Sequence, residues 1–240
     1  MATPLLAFDR VTKTYVRGEH ETVVLDSVSF EIEGGQLAAV FGRRAAGKST
    51  LLRIAAGLDA PDSGTVRMNG APLRRGRLAG LPRGVAWMRR SGPLSESMPI
   101  VDYVALPLLE TTSHRRARQI ALDALDRMEA AQWADARWST MSDTERTLAA
   151  LARAIVGEPA LLLADDPTAG LDMREREVVL GLLRRLTESR GTTVLITVPA
   201  LPDTLRAHRI MSLSDGELMH ASSHRSDPTN AATRRRGGSA

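Results

Sequence analysis

Gly42-Arg43-Arg44-Ala45-Ala46-Gly47-Lys48-Ser49-Thr50 is the stretch on which the reading of this chain turns. A glycine at each end of the turn lets successive backbone N–H groups face inward toward an anion, and a helix starting behind them adds the positive end of its dipole. Lys48 supplies a compact point charge and Ser49 a hydroxyl suited to Mg²⁺. The lysine is informative in itself, because of 32 basic residues only Lys13 and Lys48 are not arginine. A composition that uses arginine almost everywhere keeps lysine where a phosphate-binding loop needs one. Gly42, Arg43, Arg44, Ala45, Ala46, Gly47, Lys48, Ser49 and Thr50 are therefore candidate ligands of a nucleoside triphosphate.

The flanking residues provide the context such a loop requires. Leu37 to Phe41 is a short apolar run suited to a buried strand, and Ser49 to Leu58 reads as a helix with Leu51, Leu52, Ile54 and Ala55 inward and Gly57 near its end. Upstream, Val28, Phe30 and Ile32 alternate before a Gly34-Gly35 turn. Downstream, Thr65 to Met68 predicts a strand closed by Asn69-Gly70. From about Met88 the texture changes: Ser91-Gly92-Pro93 breaks the pattern, and Ala117, Ala121, Leu125 and Met128 fall at helical spacing on a charged segment. A helical subdomain over about 88–157 is expected. Ala160 to Ala164 and Thr192 to Val198 read as buried parallel strands around a helix carrying Val178, Val179, Leu182 and Leu186. Asp215-Gly216 predicts a closing hairpin.

Composition narrows the classes. A chain of 240 residues with 43% hydrophobic content can bury a full core as one α/β domain with a subdomain. There are no cysteines, hence no disulfide framework or thiolate metal site. No apolar stretch reaches bilayer length, and the N-terminus lacks the pattern of a signal peptide, so a soluble or peripheral chain is expected. The formal charge of +4 resides mostly in residues 221–240, with Arg225, Arg234, Arg235 and Arg236 against Asp227. That stretch, rich in Ser, Thr, Arg and Gly, reads as a disordered tail. With aromatics at 3% and no basic, aromatic-interleaved surface, nucleic acid is not an expected partner. His20, His114, His208, His220 and His224 show no ligand spacing and read as solvated. Trp133 and Trp138 are expected to pack the helical subdomain.

A second phosphate-site element lies in Leu161-Leu162-Leu163-Ala164-Asp165-Asp166-Pro167-Thr168, an apolar strand ending in carboxylates. Such a strand places a Mg²⁺ partner beside a triphosphate, and Asp165 is the candidate. With these motifs in hand, the chain resembles the ATP-binding subunits of ABC transporters over about residues 5–220, and looks closest to the bacterial lipoprotein-release, macrolide-export and cell-division type. Thr12-Lys13-Thr14-Tyr15, Val104-Ala105-Leu106-Pro107-Leu108, Ala152-Arg153-Ala154 and Ala169-Gly170-Leu171-Asp172 fall in family order. The resemblance implies an ABC-type P-loop α/β fold over 1–220, with a mixed β core, a helical subdomain and an N-terminal antiparallel β subdomain. It implies ATP and Mg²⁺ as ligands and Tyr15 stacked on adenine, where the alternative is a plain strand aromatic. It also implies a homodimer or heterodimer sandwiching two ATP molecules, a membrane permease partner, and a peripheral location on the cytoplasmic face of the cell membrane.

Several positions depart from the family pattern. The fourth residue of the loop, expected as glycine, is Ala45, which adds a Cβ where positive φ or close approach to phosphate is needed. Arg43 and Arg44 beside it either draw in the anion or point to solvent. The signature segment is Met141-Ser142-Asp143-Thr144-Glu145: Ser142 and Glu145 keep a capping box, while Asp143 brings a carboxylate toward the partner-bound γ-phosphate. Two like charges about 4 Å apart repel by about 1 kcal/mol in water and more in a dry interface. The glutamate expected after the Mg²⁺ aspartate is Asp166, a shortened general base. The Q-loop glutamine aligns with Arg90, a candidate phosphate contact unless the loop alignment is shifted or the arginine is solvated, and the switch histidine aligns with Pro199, which has neither imidazole nor N–H. Both faces of one chain are altered, so each composite site of any dimer contains a defective half. The expectation is ATP binding with weak or absent hydrolysis. The alternatives are an active transport ATPase with unusual motif residues and an ATP-sensing regulatory module that drives no transport.

Overall fold

The computed structural model describes residues 3–18, 20–73, 81–89, 91–93, 95–204 and 206–221. Arg90 and residues 222–240 of the expected 221–240 tail lie outside them, while Ala221 ends a strand.

Apolar strands and turn residues build two sheets. β1 (Leu6–Arg17) and β2 (His20–Ile32) form a long antiparallel pair, extended by β4 (Ser63–Met68) and β5 (Ala71–Pro72) in the order β2-β1-β4-β5. Asn69 and Gly70, with φ of 50° and 76°, make the tight turn of the β4–β5 hairpin. The second sheet has the order β10-β9-β3-β8-β7-β6, with β3 (Leu37–Phe41), β6 (Val85–Met88), β7 (Leu161–Asp165), β8 (Thr193–Val198) and β9 (Arg209–Ser214) parallel. β10 (Glu217–Ala221) returns antiparallel through Asp215-Gly216, as the sequence predicted. Its turn docks on the first sheet through the Asp26 N–H, which donates to Gly216 O at 2.9 Å.

The parallel strands are buried on both faces, which is why they read as continuous apolar runs rather than alternating ones. Ala38, Val40, Leu161, Leu163 and Leu195 face α1 (Lys48–Ala55) and the antiparallel sheet. Leu37, Ala39, Leu162, Ala164, Val194 and Ile196 face α2 (Ile100–Ala105), α3 (His114–Arg127), α4 (Asp143–Ile155) and α5 (Met173–Arg190).

α1 begins and ends earlier than its apolar pattern suggests. Gly57 enters the left-handed region at φ 64°, the Gly57 N–H returns to Ile54 O and the Leu58 N–H to Arg53 O, a Schellman closure that stops the helix at Ala55. In α5, Val179, Leu182 and Leu186 are buried as expected, while Val178 lies on the exposed side and Leu180 and Leu183 take its place in the core.

α2, α3 and α4, which lie between β6 and β7 in chain order, pack on one another. Ala117, Ala121, Leu125 and Met128 are all buried, and Arg118 Nη1 reaches Asp102 Oδ1 at 2.6 Å to tie α3 to α2. Tyr103 joins three segments: its hydroxyl donates to Ser91 O at 2.8 Å, its ring meets Trp138 edge-on at 5.4 Å, and the Arg153 guanidinium lies 5.0 Å from its centroid. Trp133 and Trp138 pack against the helical core, as expected.

One histidine departs from the solvated reading. His208 is half-buried, its Nδ1 accepts from the Leu37 N–H at 2.9 Å, and burial together with Arg184 lowers its pKa from the ordinary histidine value. That bond needs an unprotonated Nδ1 and pins the start of β3.

Truncating Leu125, which is fully buried, should cost about 2–5 kcal/mol of unfolding free energy. Urea denaturation of Leu125→Ala against the unaltered chain measures it.

Candidate functional site

The carboxyl ends of β3 and β7 bring the sequence-predicted groups together. β3 runs into the loop Gly42–Gly47, and α1 begins at Lys48. The loop's course requires its glycines. A Cβ on Gly42 would stand 2.2 Å from Leu213 O, and Gly47, at φ 96°, would place a Cβ 2.5 Å from Val24 O. The loop is thus clamped between β9 and β2.

Ala45 adopts φ 67°, a left-handed conformation that costs a residue with a Cβ about 1–2 kcal/mol. The backbone position where the family pattern has glycine is therefore one where glycine is the unstrained choice. Arg43 and Arg44 are exposed, and so is Ser49 on the first turn of α1.

Lys48 folds over this loop. Its Nζ donates to Gly42 O at 2.6 Å and to Arg43 O at 2.8 Å. Burial lowers its pKa from the usual lysine value, and the charges of Asp165 and Asp166 work against that shift. The strand-end carboxylates of β7 and the loop lysine thus share one electrostatic neighbourhood, although they are far apart in sequence.

β8 completes this neighbourhood with a residue that the motif reading passed over. In the β7–β8 register Asp165 stands opposite Thr197. The Thr197 hydroxyl donates to Asp165 Oδ1 at 2.5 Å, and the Asp166 N–H donates to Thr197 Oγ1 and to Thr197 O, each at 3.1 Å. Asp166 is itself in the left-handed region, at φ 45°. The available signal was a hydroxyl at the fully buried position 197 of a strand otherwise made of Val, Leu and Ile apart from Thr193. Pro199 follows directly and is exposed.

Tyr15 stands away from this cluster, on β1. It is 38% exposed, and its hydroxyl donates to Asp59 Oδ2 at 2.8 Å. Lys13 Nζ lies 5.5 Å from the ring centroid and pairs with Asp62 at 2.9 Å, while Asp62 also accepts from the Thr14 N–H at 2.7 Å. The hydrogen bond between them raises the Lys13 pKa and lowers that of Asp62. Both acids belong to the segment after α1, so the ring is tied to the helix that starts at the phosphate loop.

Ser142 occupies a third place. Its side chain caps α4, accepting from the Glu145 N–H at 3.3 Å while its own N–H donates to Glu145 Oε2 at 2.8 Å. This is the capping box the sequence predicted. Asp143 is exposed and 3.6 Å from Arg146. The start of α4 is joined to the start of α5: Thr144 Oγ1 donates to Glu175 Oε1 at 2.5 Å, and Glu175 Oε2 accepts from the Asp172 N–H at 2.9 Å.

The ABC transporter family model matches residues 25–169. The chain belongs to this family. Similar structures include the ATP-binding cassette MJ0796 as a dimer in a post-hydrolysis state bound to ADP and Pi, at 27% identity and a TM-score of 0.79, over 92% of this chain and 99% of that one. A second dimeric structure of MJ0796, a bacterial ABC transporter cassette, matches equally. The cbiO1 protein of Clostridium perfringens, part of the ABC transporter complex cbiONQ, shares the fold at 22% identity and a TM-score of 0.80, over 90% of this chain and 87% of that one. The two-sheet architecture with its helical elements is the ABC-type P-loop fold, and nucleotide binding is a property of this family. Among the described residues, no helix is long and apolar enough to cross a membrane.

Replacing Ala45 by glycine removes the left-handed strain but adds chain entropy to the unfolded state, so Ala45→Gly should stabilise by up to about 1 kcal/mol. Chemical denaturation of the ligand-free chain checks the sign; a loss of stability would show that the strain at Ala45 is smaller than the chain-entropy term.

Proposed function

We propose that this chain is the ATP-binding subunit of an ABC-type membrane complex, in which binding of Mg²⁺ and ATP and closure of a dimer act on a membrane permease, and in which hydrolysis is weak or absent. The observation that carries the reading is the convergence of Lys48, Asp165 and Asp166 at the carboxyl ends of β3 and β7, behind a loop whose two glycines have no room for a side chain.

The donor set fits the ligand. Among the described residues, no cluster of three or more His, Cys, Asp or Glu side chains is placed to hold a metal. A cation at this site would instead take one carboxylate oxygen from Asp165, the Ser49 hydroxyl, and oxygens of the phosphates and water, which is how Mg²⁺ is commonly held beside nucleotides. Its contribution there is to neutralise phosphate charge. The loop N–H groups and Lys48 bind the β and γ phosphates, for which Lys48 must exchange its bonds to Gly42 O and Arg43 O. Tyr15, steadied by Asp59 and Lys13, offers a ring face to adenine.

Ser142 bonds within its own capping box rather than to the loop of the same chain. Contact with nucleotide through the start of α4 therefore calls for a second subunit, and the relative bound to ADP and Pi was captured as a dimer. Asp143 faces that role with its carboxylate only partly countered by Arg146, which weakens closure on a γ-phosphate.

Hydrolysis is limited from two sides. Asp166 is the remaining carboxylate in position to act as general base, and it is shorter than glutamate; a misplacement of about 1 Å can cost about 100-fold in rate. Pro199 supplies no imidazole for the γ-phosphate. In this reading the permease contact falls to the segment from about Arg90 to Val101; a groove of about 350 Å³ lined in part by Trp87, Arg89, Pro107, Arg153 and Val156, at β6, the last strand of its sheet, is a surface that supports it.

Titration of the isolated chain with fluorescent ATP and Mg²⁺ should show saturable binding that Lys48→Ala abolishes. Phosphate release by the permease complex should stay at least about 100-fold below that of an intact transporter. Turnover comparable with an intact transporter and lost in Lys48→Ala would favour the active-ATPase reading instead.

A further inference from the structure

β8 is buried at all six of its positions, and four of them are Val, Leu or Ile. Its two threonines need separate explanations, because a valine has the same shape and no hydroxyl to satisfy. Thr193 Oγ1 accepts from the Gly35 N–H at 3.0 Å and so holds the turn that leads into β3. Thr197 does something different, since its partners are the two acidic residues at the end of β7.

A hydroxyl has one proton to give, and Thr197 gives it to Asp165 Oδ1 at 2.5 Å. Its lone pairs receive the Asp166 N–H at 3.1 Å. The rotamer is further restricted because a β-branched side chain on a packed strand has little χ1 freedom. Asp165 is thereby held through one oxygen by a neutral donor. Asp166, at φ 45°, is held in a left-handed turn by a bifurcated N–H that reaches both the hydroxyl and the carbonyl of the same threonine. The cationic competitor for the carboxylate is Lys48, whose charge couples to Asp165 and which is itself occupied by Gly42 O and Arg43 O.

We propose that Thr197 is a positioning residue for the cation-binding carboxylate: its hydroxyl holds Oδ1 of Asp165 so that Oδ2 is presented to Mg²⁺, and it fixes the turn that carries Asp166. The inference rests on the reading of Asp165 as the Mg²⁺ ligand of a nucleotide site. Loss of the hydroxyl frees the carboxylate to rotate, which weakens Mg²⁺ without touching the loop that grips the phosphates.

The test compares the unaltered full chain with Thr197→Val, Thr197→Ser and Asp165→Asn. ATP binding is titrated in excess EDTA, and Mg²⁺ is then titrated into the ATP-saturated protein. Thr197→Val should weaken Mg²⁺ by about 10-fold or more, the range seen when an outer hydrogen-bond partner of a metal ligand is removed, while metal-free ATP affinity changes less than about 2-fold. Thr197→Ser, which restores the hydroxyl, should return Mg²⁺ affinity to near the original value. Thr197→Val with unchanged Mg²⁺ affinity overturns the proposal. So does an equal loss of metal-free and Mg²⁺-dependent ATP binding in both Thr197 variants, which would mark a purely structural role. If Asp165→Asn leaves Mg²⁺ affinity intact, or the unaltered chain takes up no ATP, the assignment of the site itself fails and the role of Thr197 falls with it.

Discussion

The parallel pairing of β3, β8 and β7 is the constraint on which the candidate site depends. It sets Phe41 beside Val198 and Asp165 beside Thr197, so the phosphate loop and the acidic turn emerge from the same end of one sheet. The pairing is secured by burial on both faces, with α1 and the antiparallel sheet on one side and the helical region with α5 on the other. Polar side chains inside such a layer must carry their own partners. Each that occurs in β8 does so, and each partner is a turn or a strand end rather than the middle of another strand.

Two residues at the site, Ala45 and Asp166, hold positive φ without being glycine. Strain of this kind persists only where the surroundings over-determine the conformation. For the loop, the surroundings are Leu213 O and Val24 O, which press on Gly42 and Gly47. For the acidic turn they are the two acceptors of Thr197. The same rigidity extends to the other half of the expected composite site, where the Glu175 carboxylate bridges the starts of α4 and α5.

Much of this was legible before any coordinates. Leu37 to Phe41 and the Gly-Lys-Ser that follows declare a strand, a loop and a helix start. Asn69-Gly70 and Asp215-Gly216 declare their hairpins because few other dipeptides accept two left-handed residues. Ser142 and Glu145 declare a helix start by spacing alone. What escaped depends on neighbours distant in sequence. The long β1 strand shows no clean alternation because its register on β2 shifts at Val11, Lys13 and Thr14, and these irregularities turn Lys13 and Tyr15 toward Asp62 and Asp59. His208 looked like a surface histidine until the fold placed its ring against the Leu37 N–H. Thr197 looked like an ordinary strand residue, because its significance lies wholly in what stands across from it.

The grip of Lys48 on Gly42 O and Arg43 O has a chemical consequence of its own. The chain has only two side-chain amines, and the other, Lys13, is engaged with a carboxylate. An acylating or pyridoxal-type reagent therefore meets one other side-chain amine besides the terminal α-amine, and peptide mapping separates all three. The modification rate at the loop amine becomes a direct spectroscopic gauge of whether that amine is folded onto its own backbone or drawn away toward an anion.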